Sequence, residues 1–436
     1  MSHWPHALLL LVALIVGALA AGPALTTAQP PSPPPGPPVR YRVVGVITRE
    51  QRSAIAATGA AIDAIGPDAV AITATPDERR RIAALGFAVQ PLAGPLDFPP
   101  ADAAYHTYAE LSAELQAVAA AHPDRVRLFS IGRSYEGREL WAAKVSDNVQ
   151  TDEDEPEALF VGHYHAREHL SVEMLLAILH MLVDGDDPAR PKDPINRLVD
   201  TREIYLIFDL NPDGGEYDIA TGVYQYWRKN RQPNSDGVSI GTDLNRNHSY
   251  RWGGSGASDD PGSETYRGPA PASAPEVAAI ESFVNNRVID GVQQIRVAIT
   301  FHTYGELILW PYGYTYDDVP DDMQADDHAV FVALGQAMAA TNGYTPQQAS
   351  DLYLTSGDFT DWAYGVHRIF AYTFEMGTNF YPPGAAIPAE TARNRAAVLA
   401  LLDYAGCPYA TIGKAVIYCA EGSAPQRIWL PFLGGS

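Results

Sequence analysis

The stretch GHYHAREHL sets His163, His165, Glu168 and His169 within a few residues of one another. Imidazole and carboxylate both resist uncompensated burial, so this density points to metal binding, with a surface turn salt-bridged through Arg167 as the competing account. Two zinc geometries are open. His165, Glu168 and His169 spell H-x-x-E-H, which on a helix offers two histidines to the metal and the glutamate as base. Alternatively, His165 and Glu168 are ligands in a strand-to-helix loop and a third comes from another strand end, leaving the open position that a catalytic zinc keeps. The motif follows directly on the β-rich run LFVGHY, and a helical pattern begins only near Ser171. That context favours the second geometry, with His302 in TFHTYG as third ligand.

Residues so far apart need a scaffold that converges them. Apolar β-rich runs (LFVGHY, REIYLIFDL, IRVAITF, ELILWPY, RIFAYTF) alternate with helical patterns at Ser171 to Leu182, Asp326 to Asn342 and Pro388 to Tyr404. Continuous apolar strands between helices predict an α/β fold, a mixed, mostly parallel twisted sheet covered by helices on both faces. Four strand runs end at polar groups, His165, Asn211, His302 and Glu375. In open α/β sheets, ligands bind beyond the carboxyl ends of strands, so these groups can share one crevice.

Upstream, an apolar run from Ala7 to Ala21 has signal-peptide length, although no Lys or Arg precedes it and an uncleaved anchor is the alternative. QPPSPPPGPP (Gln29 to Pro38) reads as an extended linker. Strands at Tyr41 to Ile47 and Ala69 to Thr75, with helices over Gln51 to Ile65 and Asp77 to Leu85, make a small α/β unit. The breaker cluster GPLDFPP separates it from the longer remainder. The organisation expected is therefore 1–28 signal peptide, 29–39 linker, 40–96 small unit, 97–408 main domain and 409–436 tail. With a net charge of -22 the chain is a poor partner for nucleic acid, whose phosphates need a basic patch. Cys407 and Cys419 are too few for a multi-cysteine zinc site and suit one short-loop disulfide in an exported protein, free thiols being the alternative.

The motifs HAREH, NPDGGEYD, WRKNRQPN, GTDLNRN, SETYRG, FHTYGELILWPY, GDFTDWAYG and FAYTFEM together resemble the carboxypeptidase A and B family of zinc exopeptidases. The resemblance runs from Asp97 to Pro408 and is strongest to the bacterial carboxypeptidase T type. It implies one zinc on His165, Glu168 and His302, with Glu375 as general base and Arg228 stabilising the oxyanion. Asn245 and Arg246 would grip the free C-terminal carboxylate of a peptide or protein, and Tyr353 would close over it. Asp358 and Thr360 would form the floor of the side-chain pocket and admit apolar and basic residues. Residues 40–96 would be a propeptide over the active-site mouth. Asp152, Glu153 and Glu157 in TDEDEPE resemble a calcium site of T-type enzymes. The chain is expected to be a secreted monomer with no stable membrane span in its mature form.

Overall fold

A computed structural model of the protein describes residues 39–92, 102–184, 194–220, 222–289 and 291–419. The expected signal peptide, the Pro-rich run, the GPLDFPP boundary and the apolar end of the tail all lie outside the described residues.

The chain begins with strand β1 (Val39–Val44), helix α1 (Arg49–Ala56), β2 (Ala61–Ile65), β3 (Ala69–Ala74), α2 (Pro76–Ala84) and β4 (Ala88–Pro91). The four strands form an antiparallel sheet in the order β2-β3-β1-β4. The helix expected over Gln51 to Ile65 is half right. It stops at Ala56 because Gly59 adopts φ +101°, a conformation that β-carbon-bearing residues rarely take. Ala61–Ile65 then pairs with β3 as a strand, Ala61 opposite Thr73.

There follow α3 (Tyr108–Ala121), β5 (Val126–Arg133), β6 (Glu139–Val145), β7 (Glu157–Gly162), α4 (Leu170–Asp184), α5 (Pro194–Val199), β8 (Glu203–Ile207), α6 (Pro212–Ile219) and α7 (Pro275–Asn285). A short hairpin of β9 (Val288–Ile289) and β10 (Val292–Gln293) leads to β11 (Ile295–His302), β12 (Leu307–Trp310), α8 (Ala325–Asn342), β13 (Thr345–Gln348) and α9 (Ala349–Leu352). The described chain closes with α10 (Phe359–His367), β14 (Phe370–Glu375), α11 (Ile387–Tyr404) and α12 (Ala415–Tyr418).

Eight of these strands make one mixed sheet in the order β13-β12-β14-β11-β7-β8-β6-β5. Its centre, β14-β11-β7-β8, is parallel, and antiparallel pairings flank it on both sides. Alternation assigns each strand residue to a face. Val297, Ile299 and Phe301 join a core built with α4, α8 and α11, whereas Ala298 joins one built with α7 and α10, and a register shift between Ile295 and Val297 brings Ile295 to that second core. Burial on both faces explains why these strands read as unbroken apolar runs. The disulfide is present between Cys407 and Cys419. Among the described residues no helix is long and apolar enough to cross a membrane.

Candidate active site

Parallel pairing sets the site's first coordinates. His302 ends β11, Glu375 ends β14, and the two face each other in register at the carboxyl edge of the sheet. The next strand, β7, stops at Gly162 and runs into the turn that carries His165 and Glu168 before α4 begins at Leu170. His165 and Glu168 therefore sit in a loop and not on a helix, as the strand context required. His169 turns away to Asp218, 3.1 Å distant, and His163 donates its ring to Asp209 and the Ala166 carbonyl. The helical H-x-x-E-H geometry is absent.

His165, Glu168 and His302 are all buried and their ligand atoms converge. His165 Nδ1 lies 2.8 Å from Glu168 Oε1, His302 Nδ1 lies 2.8 Å from Glu168 Oε2, and the two Nδ1 atoms are 3.2 Å apart. Both imidazoles spend Nε2 elsewhere, His165 on Asp243 at 3.2 Å and His302 on the Thr300 hydroxyl at 3.2 Å. Two inward nitrogens and a carboxylate at this spacing fit zinc, whose tetrahedral ligands at about 2.0–2.1 Å stand roughly 3.3 Å from one another. Although burial opposes ionisation, His165 and His302 hold the Glu168 carboxyl well below its usual range, while burial holds His302 toward its neutral, ligating form. Across the cavity, burial pushes the Glu375 carboxyl well up and the charge of Glu168 adds to the effect.

Asp243 ties this cluster to its surroundings, and motif reading did not single it out. One oxygen meets His165 and accepts from the Asn245 amide at 3.0 Å; the other accepts from Arg228 Nε at 3.0 Å. Burial opposes its ionisation, yet Arg228 and His165 hold its carboxyl far below the usual range. Its place two residues before Asn245 in GTDLNRN was the available signal. It caps the short 3-10 turn Leu244–Arg246, which brings Asn245 and Arg246 to the cavity wall. Arg246 is braced by the Gly256 and Asn245 carbonyls, and Asn245 accepts from the Phe359 amide.

The cavity encloses about 210 Å³ and holds Glu375, Arg228, Asn245, Arg246 and Tyr353 around the metal cluster. Asp358 and Thr360 also line it, Asp358 as the N-cap of α10. The N-terminal sheet reaches the same cavity through Ile62, Asp63, Ala64 and Ile65 of β2. Asp63 makes a fully buried ion pair with Arg167 at 2.6 Å, beside Thr73. Tyr353 packs on the core of this N-terminal sheet, and Arg52 of α1 bonds the carbonyls of Asp351 and Leu352 just before it.

The three residues expected to bind calcium are not gathered at one point. Arg287 stands between Asp152 and Glu157 and pairs with both, and with Glu203 at 3.7 Å. Glu153 groups instead with Asp147 and Glu155. Asp152 and Glu157 group with Glu203, and the ligand atoms of each acidic group lie close enough together to hold a cation.

A zinc metallohydrolase of the α/β class is what sheet and site define. The profile of the zinc carboxypeptidase family matches residues 111–397. A zinc carboxypeptidase of Saccharothrix mutabilis subsp. capreolus is 42% identical over 393 residues, covering 84% of this chain and 89% of its own. Carboxypeptidase A2 of Rattus norvegicus is 33% identical over 293 residues, 66% of each chain. The crystal structure of carboxypeptidase A from Helicoverpa armigera superposes with a TM-score of 0.70 at 20% identity, covering 86% of this chain and 98% of that one, a likeness of fold. The chain belongs to the zinc carboxypeptidase family, and the activity that goes with it is hydrolysis of C-terminal peptide bonds.

Proposed function

We propose that the chain is a secreted precursor whose processed form removes C-terminal residues of apolar and basic type from peptides and proteins, acting as a monomer. The observation that carries this is one cavity lined by His165 and Glu168 of a His-Glu-His cluster, the buried carboxyl of Glu375, two arginines and Asp358.

His165, Glu168 and His302 would hold zinc, which when bound supplies Lewis acidity to water and to the scissile carbonyl. Glu375 takes the proton of the attacking water and returns it to the leaving amine, a double task suited to a carboxyl raised by burial. Arg228, fixed by Asp243, faces the developing oxyanion without reorganising. Arg246 and Asn245 clamp the terminal carboxylate, which restricts cleavage to chain ends. Tyr353 closes over the bound residue.

Residues 40–96 act as a propeptide in this reading. Support comes from β2, whose residues line the same cavity as His165, and from Asp63 on Arg167. The test is release of C-terminal residues from peptides ending in Phe, Arg or Glu, each with a free and an amidated end, before and after limited proteolysis. No Lys or Arg lies between Arg81 and Arg125, so thermolysin or subtilisin suits the digestion and trypsin does not. Free-ended Phe and Arg peptides are expected to be cut only after digestion, while amidated and Glu-ended ones resist. Equal cleavage of the amidated peptides would remove the exopeptidase reading.

A further inference from the structure

The segment that joins β14 to α11 leaves from Glu375 and passes the cavity, to whose lining Phe380 belongs. From Met376 to Pro383 it is irregular, so its backbone groups need partners from other parts of the chain. The first described residues of the main domain supply two of them. Asp102 Oδ1 accepts from the Gly384 amide at 3.1 Å, and the Tyr105 hydroxyl donates to the Pro382 carbonyl at 2.7 Å. Both side chains are buried. They are anchored in turn, because the His106 amide donates to Glu173 of α4 at 2.8 Å and the His106 ring lies between Glu173 and Glu114 of α3.

A second line of contacts leads from Asp102 toward the metal and oxyanion groups. Its Oδ2 accepts from the Tyr224 hydroxyl at 3.0 Å, and the Tyr224 ring stacks on Tyr381 with centroids 3.5 Å apart. Tyr381 donates its hydroxyl to Asp218 at 2.9 Å. Asp218, fully buried near the end of α6, accepts from the Trp227 amide at 2.7 Å and meets His169 at 3.1 Å. Trp227 immediately precedes Arg228, and His169 immediately follows Glu168. The line therefore ends on the backbone beside the oxyanion donor and beside a zinc ligand.

We propose that Asp102 and Tyr105 are positioning residues of the peptidase site: they pin the Phe380–Gly384 segment and, through Tyr224, Tyr381 and Asp218, hold the backbone that carries Arg228. Asp102, Tyr105 and Tyr224 stand outside the cavity lining, so they act only through the groups they hold. A group misplaced by about 1 Å can cost about a hundredfold in rate, which gives such remote contacts their leverage. Arg228 meets charge that develops only in the transition state, so a loosened Trp227 backbone lowers kcat and leaves KM nearly unchanged. One consequence concerns maturation: a cut that frees residues 40–96 and yields full activity falls before Asp102. The inference rests on the peptidase reading proposed above.

The experiment measures kcat and KM for release of C-terminal Phe by wild type, Asp102→Ala, Asp102→Asn and Tyr224→Phe. Each is expressed as the full chain and then digested, the new N-terminus is read by mass spectrometry to verify that position 102 is retained, and assays run well below the melting temperature. Asp102→Ala is expected to lower kcat about tenfold with its zinc retained and KM within about twofold of wild type, the scale of one lost bond to a charged group. A role in stability alone would lower the melting temperature and leave kcat in place. Asp102→Asn still accepts from the Gly384 amide and donates to the Tyr224 hydroxyl, so it recovers most of the rate. Tyr224→Phe keeps the ring on Tyr381 and deletes the hydroxyl that meets Asp102; it repeats the test should Asp102→Ala melt early. A kcat within about twofold of wild type in both Asp102→Ala and Tyr224→Phe, or a loss that Asp102→Asn does not recover, overturns the inference. An active wild type beside unaltered variants removes the inference alone; a wild type that releases no C-terminal residue removes the peptidase reading and the inference with it.

Discussion

Release of the N-terminal unit after cleavage should depend on pH through Glu78. This residue of α2 is 1% exposed, its Oε2 accepts from the Thr75 amide, and it faces Ser263 and Glu264 of the main domain. Ser263 and Thr265 both donate their hydroxyls to the Gly59 carbonyl, which fastens the turn beside Glu78. The charged neighbours are Glu264 and, behind it, Arg167 at 3.7 Å from Glu264, the Asp63 paired with Arg167, and Lys229. Burial chiefly, and Glu264 in addition, raises the Glu78 carboxyl from an ordinary 4.5 to about 7. The docked state thus binds the proton more tightly than the undocked one, so docking is strongest below about 4.5 and weakens as pH rises toward 7. Taking the undocked carboxyl as ordinary, the full penalty is at most about 3 kcal/mol, and between pH 5 and 8 the docking constant falls roughly 70-fold. Glu78→Gln keeps the capping geometry and cannot ionise. The assay nicks the linker, holds the complex between pH 5 and 8, and follows dissociation of the N-terminal unit by size exclusion together with emergence of peptidase activity. The expected result is that wild type loosens steeply with pH and the variant changes at least tenfold less. Parallel profiles for the two proteins would refute the reasoning.

Asp63→Ala should give the undigested chain measurable activity, because removing one partner of a buried ion pair costs about 3–5 kcal/mol and Arg167 keeps the longer pair to Glu264 at 3.7 Å; an undigested variant as silent as wild type counts against a blocking role for β2. Asp243→Asn should weaken zinc retention about 10- to 100-fold against a competing chelator, since it supports the His165 ring and the Arg228 guanidinium together. Zinc held as firmly as in wild type would make Asp243 a prop for Arg228 alone.

The carboxyl edge of the sheet was legible from sequence because the central strands are largely apolar runs, and β11 and β14 end on His302 and Glu375. His302 and Glu375 needed only the parallel pairing of β11 and β14 to come side by side. The same strand context decided against a helical H-x-x-E-H, and α4 does begin after His169. Three features were not legible. The end of α1 is fastened at Gly59, whose carbonyl accepts from the hydroxyls of Ser263 and Thr265 some two hundred residues away. Asp243 is marked only by its place in GTDLNRN, and its importance comes from contacts with His165 and Arg228 brought by separate segments. The acidic run at Asp152 to Glu157 resembles a calcium site, but the run itself cannot show that Arg287 pairs with two of its members while Glu153 groups with Asp147 and Glu155.

The central claim is that Glu375 moves the proton at a zinc held by His165, Glu168 and His302. Its most direct measurement pairs zinc content with the release rate of C-terminal Phe for the digested wild type and for Glu375→Gln. The account predicts one zinc per chain in both proteins and a fall in kcat of about a hundredfold or more in the variant, the usual scale for losing a general base. A variant that keeps its zinc and the wild-type rate would contradict it.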